Sequence, residues 1–247
     1  MRLPRLRALR LPILYYHDIG PKQHKHIVHP DAFAAQLDWL RETEHEFLTL
    51  DDVLDIYTGR SDAPRRPVVL TFDDGRSGVL HYAAPYLADA GLPSTHYVVT
   101  DWLDGHNIPE NERFSEFIGW GELAELRASG MGIASHGVTH RTLKRLPSDE
   151  VEREIRDSRR MLEDKLGEPV DHFSFPRGRT RRAVERRVRR AGYLSAVATG
   201  QSWNGPLARR FHLNRLRVDG YASLDDFQRM LTPSRTTAEG RQSGGVC

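Results

Sequence analysis

Two short segments of this chain carry the side chains best suited to chemistry. Residues 71–75 read TFDDG and follow the apolar run 68–70, while residues 135–140 read SHGVTH. The first segment offers two adjacent carboxylates, and the second offers two imidazoles four residues apart. Two histidines and one carboxylate are a common ligand set for a catalytic divalent ion, because they leave coordination positions open for water and substrate. Together the segments predict a metal-dependent hydrolase.

The two aspartates are expected to have different roles. Successive side chains on a regular strand point to opposite faces, so Asp73 and Asp74 cannot address one ligand in the same way. Gly75 permits a sharp turn after them, which keeps both carboxylates at the carboxyl end of a strand, where barrel enzymes hold their catalytic groups. One aspartate would complete the ligand set, and the spacing leaves open which one.

His136 and His140 are expected to share the ion. If they lie on one helical turn, their spacing places both imidazoles on the same face. A closed structural site would use four ligands, usually thiolates. The single cysteine of the chain, Cys247, is its last residue, so a thiolate cluster is not available.

Each motif taken alone has a simpler explanation. An Asp-Asp-Gly sequence is most often a turn, and two histidines at this spacing are most often part of a solvated helix face. The combination is harder to dismiss, because the apolar segment 131–134 leads into the histidines just as 68–70 leads into the aspartates. A third segment, FSFPRG at 173–178, repeats the pattern of a strand followed by a loop. We therefore favour one site built from three strand ends.

At these residues the chain resembles the polysaccharide deacetylase family, also called the NodB homology or carbohydrate esterase family 4 group. Residues 71–75, 135–140 and 173–178 are similar to its first, second and third motifs. The opening ILYYHDI at 13–19 is similar to the start of the subgroup that includes poly-N-acetylglucosamine deacetylases. The resemblance implies an α/β fold, namely an irregular (β/α) barrel of about seven strands, as in NodB-like proteins.

The resemblance also implies a role for each site residue. Asp74, His136 and His140 would hold the divalent ion, which we expect to be zinc, with cobalt or nickel as alternatives. Asp73 would be the base that takes a proton from the attacking water. His17 would be the acid that protonates the departing amine, which suits a side chain whose unperturbed pKa is about 6.5.

The third motif lacks the arginine that orients the catalytic aspartate in many family members. This chain has Ser174 at that position. Arg215 is our candidate replacement for the missing arginine. An alternating strand there would send Arg215 and Arg217 to the same face, so the pattern leaves open which of them reaches inward.

Four further residues are candidates for contact with the substrate. Where many members have Pro-Tyr-Gly, this chain has Pro176 followed by Arg177. The main-chain N–H of Arg177 could still stabilise an oxyanion, and its side chain could alter substrate choice. Trp203 could stack on a sugar ring, as could Trp102, although a packing role is the simpler explanation for each tryptophan.

The elements that must position these residues alternate along the chain. Apolar periodicity predicts strands at 13–16, 68–72, 94–99, 132–134, 172–175, 194–198 and 213–218, and helices at 31–41, 78–90, 120–128, 148–166, 181–191 and 224–231. Repeated strand-then-helix units predict a parallel sheet. Spacing alone does not separate a barrel from a doubly wound sheet, and the resemblance favours the barrel.

Composition indicates one ordinary globular domain. The chain has 247 residues, of which 38% are hydrophobic, and a formal net charge of +2. We expect the domain to span residues 11–233, between a basic extension at 1–10 and a disordered tail at 234–247. The near-neutral net charge gives no reason to expect a nucleic-acid partner. The arginine-rich segment 177–190 has the pattern of an amphipathic helix with a solvated face. His24, Lys25, His26 and His29 are interpreted as surface residues of a loop.

The predicted activity is removal of N-acetyl groups from an amino sugar in a polysaccharide or glycan precursor. Another amide or formamide hydrolase and an O-acetyl esterase are alternatives on the same site, and a catalytically silent glycan-binding domain is the alternative from another class. A glycosidase is disfavoured, because its two carboxyl groups must flank the bond at a separation of roughly 5 to 9 Å. A signal peptide and a membrane span are not recognisable, so we expect a cytoplasmic location, with export as the alternative.

Overall fold

A computed structural model describes residues 9–232, which form a curled parallel sheet surrounded by helices. The strands are β1 (Ile13–Tyr16), β2 (Asp18–Ile19), β3 (Ile27–Val28), β4 (Glu46–Phe47), β5 (Pro67–Asp74), β6 (Thr95–Val98), β7 (Gly132–Ser135), β8 (His172–Ser174), β9 (Ser195–Val197) and β10 (Leu216–Arg217). The α-helices are α1 (Pro30–Glu42), α2 (Leu50–Thr58), α3 (Ala84–Ala90), α4 (Leu123–Ala128), α5 (Ser148–Leu166), α6 (Arg182–Arg190) and α7 (Leu224–Leu231). Most of the predicted basic extension at 1–10 and all of the predicted tail at 234–247 lie outside the described residues.

Seven parallel strands follow one another in the order β10-β1-β5-β6-β7-β8-β9, and β4 pairs with β5 off this path. Leu213, just before β10, also pairs with Val197 of β9. The segment that leads into β10 therefore approaches both ends of the sheet, which curls toward closure. This confirms the predicted irregular (β/α) barrel with about seven strands.

The central strands are apolar on both faces because both faces are covered. All four residues of β1 and all eight residues of β5 are buried, as expected for parallel strands between two layers. Their alternate residues divide between two cores. Leu14 and Leu70 belong to the large core shared with the outer helices, whereas Ile13 and Val69 belong to a smaller core that α2 and Leu9 help to form. Asp73 continues the alternate row of Val69 and so lies on the inner side.

Helices begin and end close to their predicted positions, with differences in detail. Helix α5 spans 148–166 as predicted, with Pro147 at its N-cap, and ends at Gly167 in the left-handed conformation. The predicted helix at 78–90 is divided into a π-helical turn and α3. Helix α2 was not predicted, although Thr49 and Asp52 form a capping box at its start. None of the helices within residues 9–232 combines the length and the apolar character needed to span a bilayer.

His96 on β6 gives the fold a pH-dependent stability. Its ring is buried, and neither ring nitrogen has a hydrogen-bond partner among the described residues. Burial lowers the pKa of this imidazole to about 4, whereas the pKa of an unperturbed histidine is about 6.5. The unfolded chain therefore binds more protons between these two values, and stability must fall as the pH decreases through that window.

We expect His96→Phe to remove part of this pH dependence. Between about pH 7 and about pH 5, the wild-type free energy of unfolding should fall by about 2 kcal/mol more than that of the variant. Urea unfolding at the two pH values measures the difference. His81→Phe, at an exposed position, is the matched control and should keep the wild-type slope. A wild-type slope in His96→Phe would contradict this account.

Candidate active site

The carboxyl end of β5 places both aspartates in one cavity of about 440 Å³. The backbone leaves the strand conformation at Asp74, where φ is 81°, and continues through Gly75 with φ at 87°. This turn ends the alternation of side chains. As a result, Nε2 of His136 lies 3.9 Å from Oδ2 of Asp73 and 3.7 Å from Oδ1 of Asp74. The two carboxylates therefore share one site, because the turn begins at Asp74 itself.

Three side chains converge in a pattern suited to a metal ion. Nε2 of His140 lies 3.5 Å from Oδ1 of Asp74, and the candidate ligand atoms of Asp74, His136 and His140 all lie within 4.8 Å of one another. Nδ1 of His136 lies 2.9 Å from the main-chain oxygen of Ser174. That oxygen can only accept, so Nδ1 carries the proton and Nε2 presents its lone pair. The donor set fits a divalent ion.

The histidines are not on a helix, contrary to the sequence-based expectation. They lie in an irregular loop after β7, in which Gly137 has φ of 84° and His140 has φ of 58°. The loop returns on itself, and the two imidazole centroids are 4.9 Å apart. The four-residue spacing thus brings the rings together through left-handed residues and not through a helical turn.

Glu154 on α5 holds this loop in place. Its Oε2 accepts hydrogen bonds from the main-chain N–H groups of Val138, at 2.8 Å, and Thr139, at 2.9 Å. Its Oε1 accepts from the Thr139 hydroxyl. Sequence analysis did not identify Glu154, yet a signal existed, because it is an acidic residue on the buried face of α5 next to Ile155.

Trp102 packs behind His140 and does not present its ring to the cavity. The indole is 1% exposed, and its centroid lies 4.7 Å from that of His140. Trp102 therefore has the packing role that was the simpler explanation for it, and it helps to orient the imidazole of His140.

Arg215 is the arginine that reaches inward. Its Nη1 donates to Oδ1 of Asp73 at 2.7 Å, and its Nη2 donates to Oδ2 of Asp73 at 2.6 Å. The same Nη2 donates to the Ser174 hydroxyl at 3.0 Å. Arg217 lies on the same side of the chain but at the rim of the cavity, where its Nη2 donates to the main-chain oxygen of Lys25 at 3.0 Å. Ser174, in the position of the missing arginine, is thus a hydrogen-bond partner of Arg215.

The charges of the site are set by these contacts. Burial raises the pKa of Asp73, but the Arg215 guanidinium and His136 lower it more, so it lies below its usual value. The pKa of Asp74 is also lowered, because His140 and Arg76 outweigh the effect of burial. Burial lowers the pKa of His140 to about 3, although Asp74 opposes this shift. At neutral pH both carboxylates are ionised and His140 is neutral, as metal binding requires.

Arg76 forms a second buried contact with the site that sequence analysis missed. Its Nη2 lies 3.5 Å from Oδ2 of Asp74 and 2.8 Å from Oε2 of Glu112. The guanidinium is sandwiched between two rings, 3.9 Å from the centroid of Phe114 and 4.1 Å from that of Phe117. Arg76 therefore connects Asp74 to the loop that forms one wall of the cavity.

His17 also lines the cavity. Its Nδ1 is buried and has no hydrogen-bond partner among residues 9–232, and its ring centroid lies 4.5 Å from that of His26. Burial lowers the pKa of His17, with the negative charges of Asp74 and Asp73 opposing the shift. Lys25 is exposed and His24 and His26 are half-buried, and all three line the cavity, which the sequence did not predict.

The candidates for substrate contact are separated by the fold. Arg177 lines the cavity at the tip of a short turn, with φ of 58°. Pro176 is buried beneath it, and as a proline it has no main-chain N–H to donate. Trp203 does not line this cavity; its Nε1 donates to the main-chain oxygen of Met230 at 3.4 Å, and it borders a different pocket that Leu9 also lines. The structure therefore does not bring Trp203 to the site.

The sequence profile of the polysaccharide deacetylase family matches residues 60–196, more than half of the chain. The chain therefore belongs to the polysaccharide deacetylase family, which confirms the family and the hydrolase class predicted from its motifs.

Individual relatives agree with this assignment. YxkH of Bacillus subtilis, whose name places it among polysaccharide deacetylases, is 24% identical over 212 residues, covering 86% of this chain and 72% of YxkH. The poly-beta-1,6-N-acetyl-D-glucosamine N-deacetylase of Staphylococcus aureus is 28% identical over 118 residues, covering 48% of this chain and 39% of that enzyme. The solved structure of Streptococcus pyogenes deacetylase PplD in complex with acetate has a TM-score of 0.79 at 23% identity, covering 91% of this chain and 99% of PplD. The last comparison shows that the fold is shared.

Proposed function

We propose that this protein removes N-acetyl groups from an amino sugar of a polysaccharide or glycan precursor by metal-dependent hydrolysis. The observation that carries the proposal is the convergence of Asp74, His136 and His140 beside the ionised Asp73 in one cavity. The volume of about 440 Å³ lies within the range of small-molecule pockets, roughly 300 to 1,000 Å³. Family membership and the similarity to a poly-N-acetylglucosamine deacetylase support an N-acetyl substrate.

Asp74, His136 and His140 would hold the ion, and zinc is the ion that we propose, with cobalt or nickel as alternatives. Two imidazoles and one carboxylate form an open ligand set of the kind found in catalytic zinc sites. A divalent ion bound there would supply a Lewis acid that polarises the acetamide carbonyl and lowers the pKa of water to about 7.

Asp73 is the proposed base. Arg215 binds both of its oxygens, so the carboxylate has a fixed orientation and stays ionised at neutral pH. It can therefore accept a proton from the water that attacks the acetamide carbon. The main-chain N–H of Arg177 is the proposed donor to the oxyanion that develops on the acetamide oxygen.

His17 is the proposed acid. The amine is a poor leaving group unless its nitrogen is protonated. His17 lines the cavity, and its buried Nδ1 has no hydrogen-bond partner among the described residues. Burial lowers the pKa of His17, and the negative charges of Asp74 and Asp73 oppose this shift. In its protonated form the ring would transfer a proton to the departing amine.

Acetate release, with metal analysis on the same sample, tests the proposed function. The substrates are β-1,4- and β-1,6-linked N-acetylglucosamine oligomers, peptidoglycan fragments and nucleotide- or lipid-linked amino sugars, with an O-acetylated glycan and a formamide as comparison. Release from an N-acetyl group that is lost on chelation and restored by zinc would support the proposal. Release from the ester alone would indicate an O-acetyl esterase, and glycan binding without release would indicate a silent binding domain.

We expect His17→Ala to lower turnover by about 10²- to 10⁴-fold, the usual contribution of a general acid. Its metal content should remain that of the wild type, because His17 is not one of the three proposed ligands. Acetate release and metal per protein are measured on the same preparation. His29→Ala, at an exposed position before α1 and outside the cavity, is the control. Wild-type turnover in His17→Ala would refute the role of this residue.

A further inference from the structure

The charged side chains around the cavity are not balanced once their contacts are taken into account. Its lining includes three carboxylates and three permanent cations. The carboxylates belong to Asp73, Asp74 and Glu112, and the cations belong to Lys25, Arg177 and Arg217. A count of formal charges would therefore suggest a neutral surface, but the two groups differ in what they already bind.

All three carboxylates are engaged by buried arginines that lie behind the cavity wall. Asp73 is bound through both oxygens by Arg215. Glu112 pairs with Arg76 at 2.8 Å, and Asp74 lies 3.5 Å from the same guanidinium. Both arginines are completely buried. Two of the three negative charges of the cavity are thus already balanced by guanidinium groups inside the protein, and a bound divalent ion would more than balance the third.

The cations of the rim are not compensated in this way. Within residues 9–232, neither Lys25 nor Arg177 has a carboxylate within ion-pair distance, and both side chains are exposed. Arg217 shares its charge with Asp219 at 3.3 Å, and its buried Nε has no partner among the described residues. The rim therefore presents positive charge toward a ligand in the cavity.

The two sides of the rim are held in place by the fold. The main-chain oxygen of Lys25 accepts from Nη2 of Arg217 and from the N–H of Gly220, each at 3.0 Å, so the guanidinium of Arg217 lies against the backbone of Lys25. Arg177 lies in the short turn after β8 and lines the cavity together with His140 and Glu112. His26 adds no charge at neutral pH, because burial and the neighbouring His17, Arg217 and Lys25 lower its pKa to about 3.

We propose that the glycan bound in this cavity carries an anionic substituent, a phosphate or a carboxylate, that is recognised by Lys25, Arg177 and Arg217. A neutral amino-sugar polymer offers hydroxyl and amide groups, for which uncompensated cations provide no particular advantage. An anion would form charge-assisted hydrogen bonds with lysine and arginine side chains, which are stronger than neutral ones. This inference rests on the proposed deacetylation and names the class of substrate.

Matched oligomers that differ only in charge test the inference. A neutral N-acetylglucosamine tetramer is compared with the same tetramer carrying one phosphate ester and with the same tetramer carrying one lactyl ether carboxylate. The two charged arms distinguish phosphate from carboxylate as the recognised group. We expect KM for at least one charged tetramer to be about tenfold lower than for the neutral one, and the difference should decrease as salt screens the rim.

The discrimination should depend on the rim cations. Lys25→Gln should reduce the KM ratio of neutral to charged tetramer by about three- to fivefold, and Lys25→Gln with Arg177→Gln should reduce it close to one. Arg186→Gln removes the same charge from the exposed face of α6, outside the cavity, and should keep the wild-type ratio. Equal KM values for the neutral and charged tetramers, or a wild-type ratio in the double variant, would overturn the inference.

Failure of the proposed function would give a different result. If no tetramer releases acetate, the same tetramers are titrated calorimetrically into the metal-loaded wild-type protein and the double variant. Tighter binding of a charged tetramer, lost in the double variant, would keep the anion site while rejecting deacetylation. Equal binding of neutral and charged tetramers would overturn the anion site as well.

Discussion

Arg215→Met should lower the free energy of unfolding by about 3 to 5 kcal/mol, the cost of leaving a buried carboxylate without its partner. Arg215 is completely buried and binds both oxygens of Asp73. Without the guanidinium, burial would raise the pKa of Asp73, because Arg215 is the largest influence that lowers it. Turnover should fall by about 10²- to 10⁴-fold, and the acidic limb of the pH–rate profile should move to higher pH. Urea unfolding and acetate release across pH measure the two effects.

Arg217→Met is the matched control for this experiment, since it removes the same charge two residues along the chain. Arg217 is partly exposed, and among residues 9–232 its ion pair is with the half-exposed Asp219, so its loss should cost less than about 1 kcal/mol. Should Arg215→Met fail to fold, Arg215→Lys keeps the charge and loses the two-point contact with Asp73. Equal stability losses in Arg215→Met and Arg217→Met would contradict the assignment of Arg215 as the inward arginine.

Asp74→Asn should remove the metal, whereas Asp73→Asn should keep it. Asparagine tolerates the left-handed backbone at position 74, so the change tests the charge and not the turn. Loss of a residue that only hydrogen-bonds to a metal ligand typically lowers metal affinity by about 10- to 100-fold. Asp74→Asn changes a ligand itself, so we expect its metal affinity to fall by more than about 100-fold. Turnover should be lost with the metal. Elemental analysis after dialysis and acetate release on the same sample measure both.

Asp73→Asn separates the base from the ligands. Its metal content should equal that of the wild type, while turnover falls by about 10²- to 10⁴-fold. Because Arg215 would then lack its negative partner, urea unfolding is measured in parallel to show that the variant is folded under the assay conditions. A metal-free Asp73→Asn protein would reverse the assignments of base and ligand.

Local patterns in the sequence were sufficient for the strands and most helices of this barrel. The apolar runs that form β1 and β5 are buried along their whole length, since both faces of a parallel sheet are covered. Helix α5 begins and ends where its apolar periodicity and Gly167 predict. The short segments were less predictable. Helix α2 and the two-residue strands β2, β3 and β4 were missed, and β10 is shorter than the predicted strand, because a few residues carry little periodic signal.

The contacts that orient the site could not be predicted in this way. Arg215 is 142 residues from Asp73 in the chain, and the alternating pattern allowed Arg217 equally. The loop of His136 and His140 takes its shape from Glu154 on α5, not from helical spacing. A hydrogen bond between distant segments leaves no periodic trace in either segment.

The amino-acid sequence by itself determined the family, the class of fold and the residue types available for metal binding, because these follow from motifs and from apolar periodicity along short stretches. Only the tertiary structure decided which arginine binds Asp73, that Trp203 lies away from the site, and that Lys25 and Arg177 border the same cavity. The physical reason is that burial and ion pairing depend on distances between segments. Those distances exist only after the sheet has curled and brought its strand ends together.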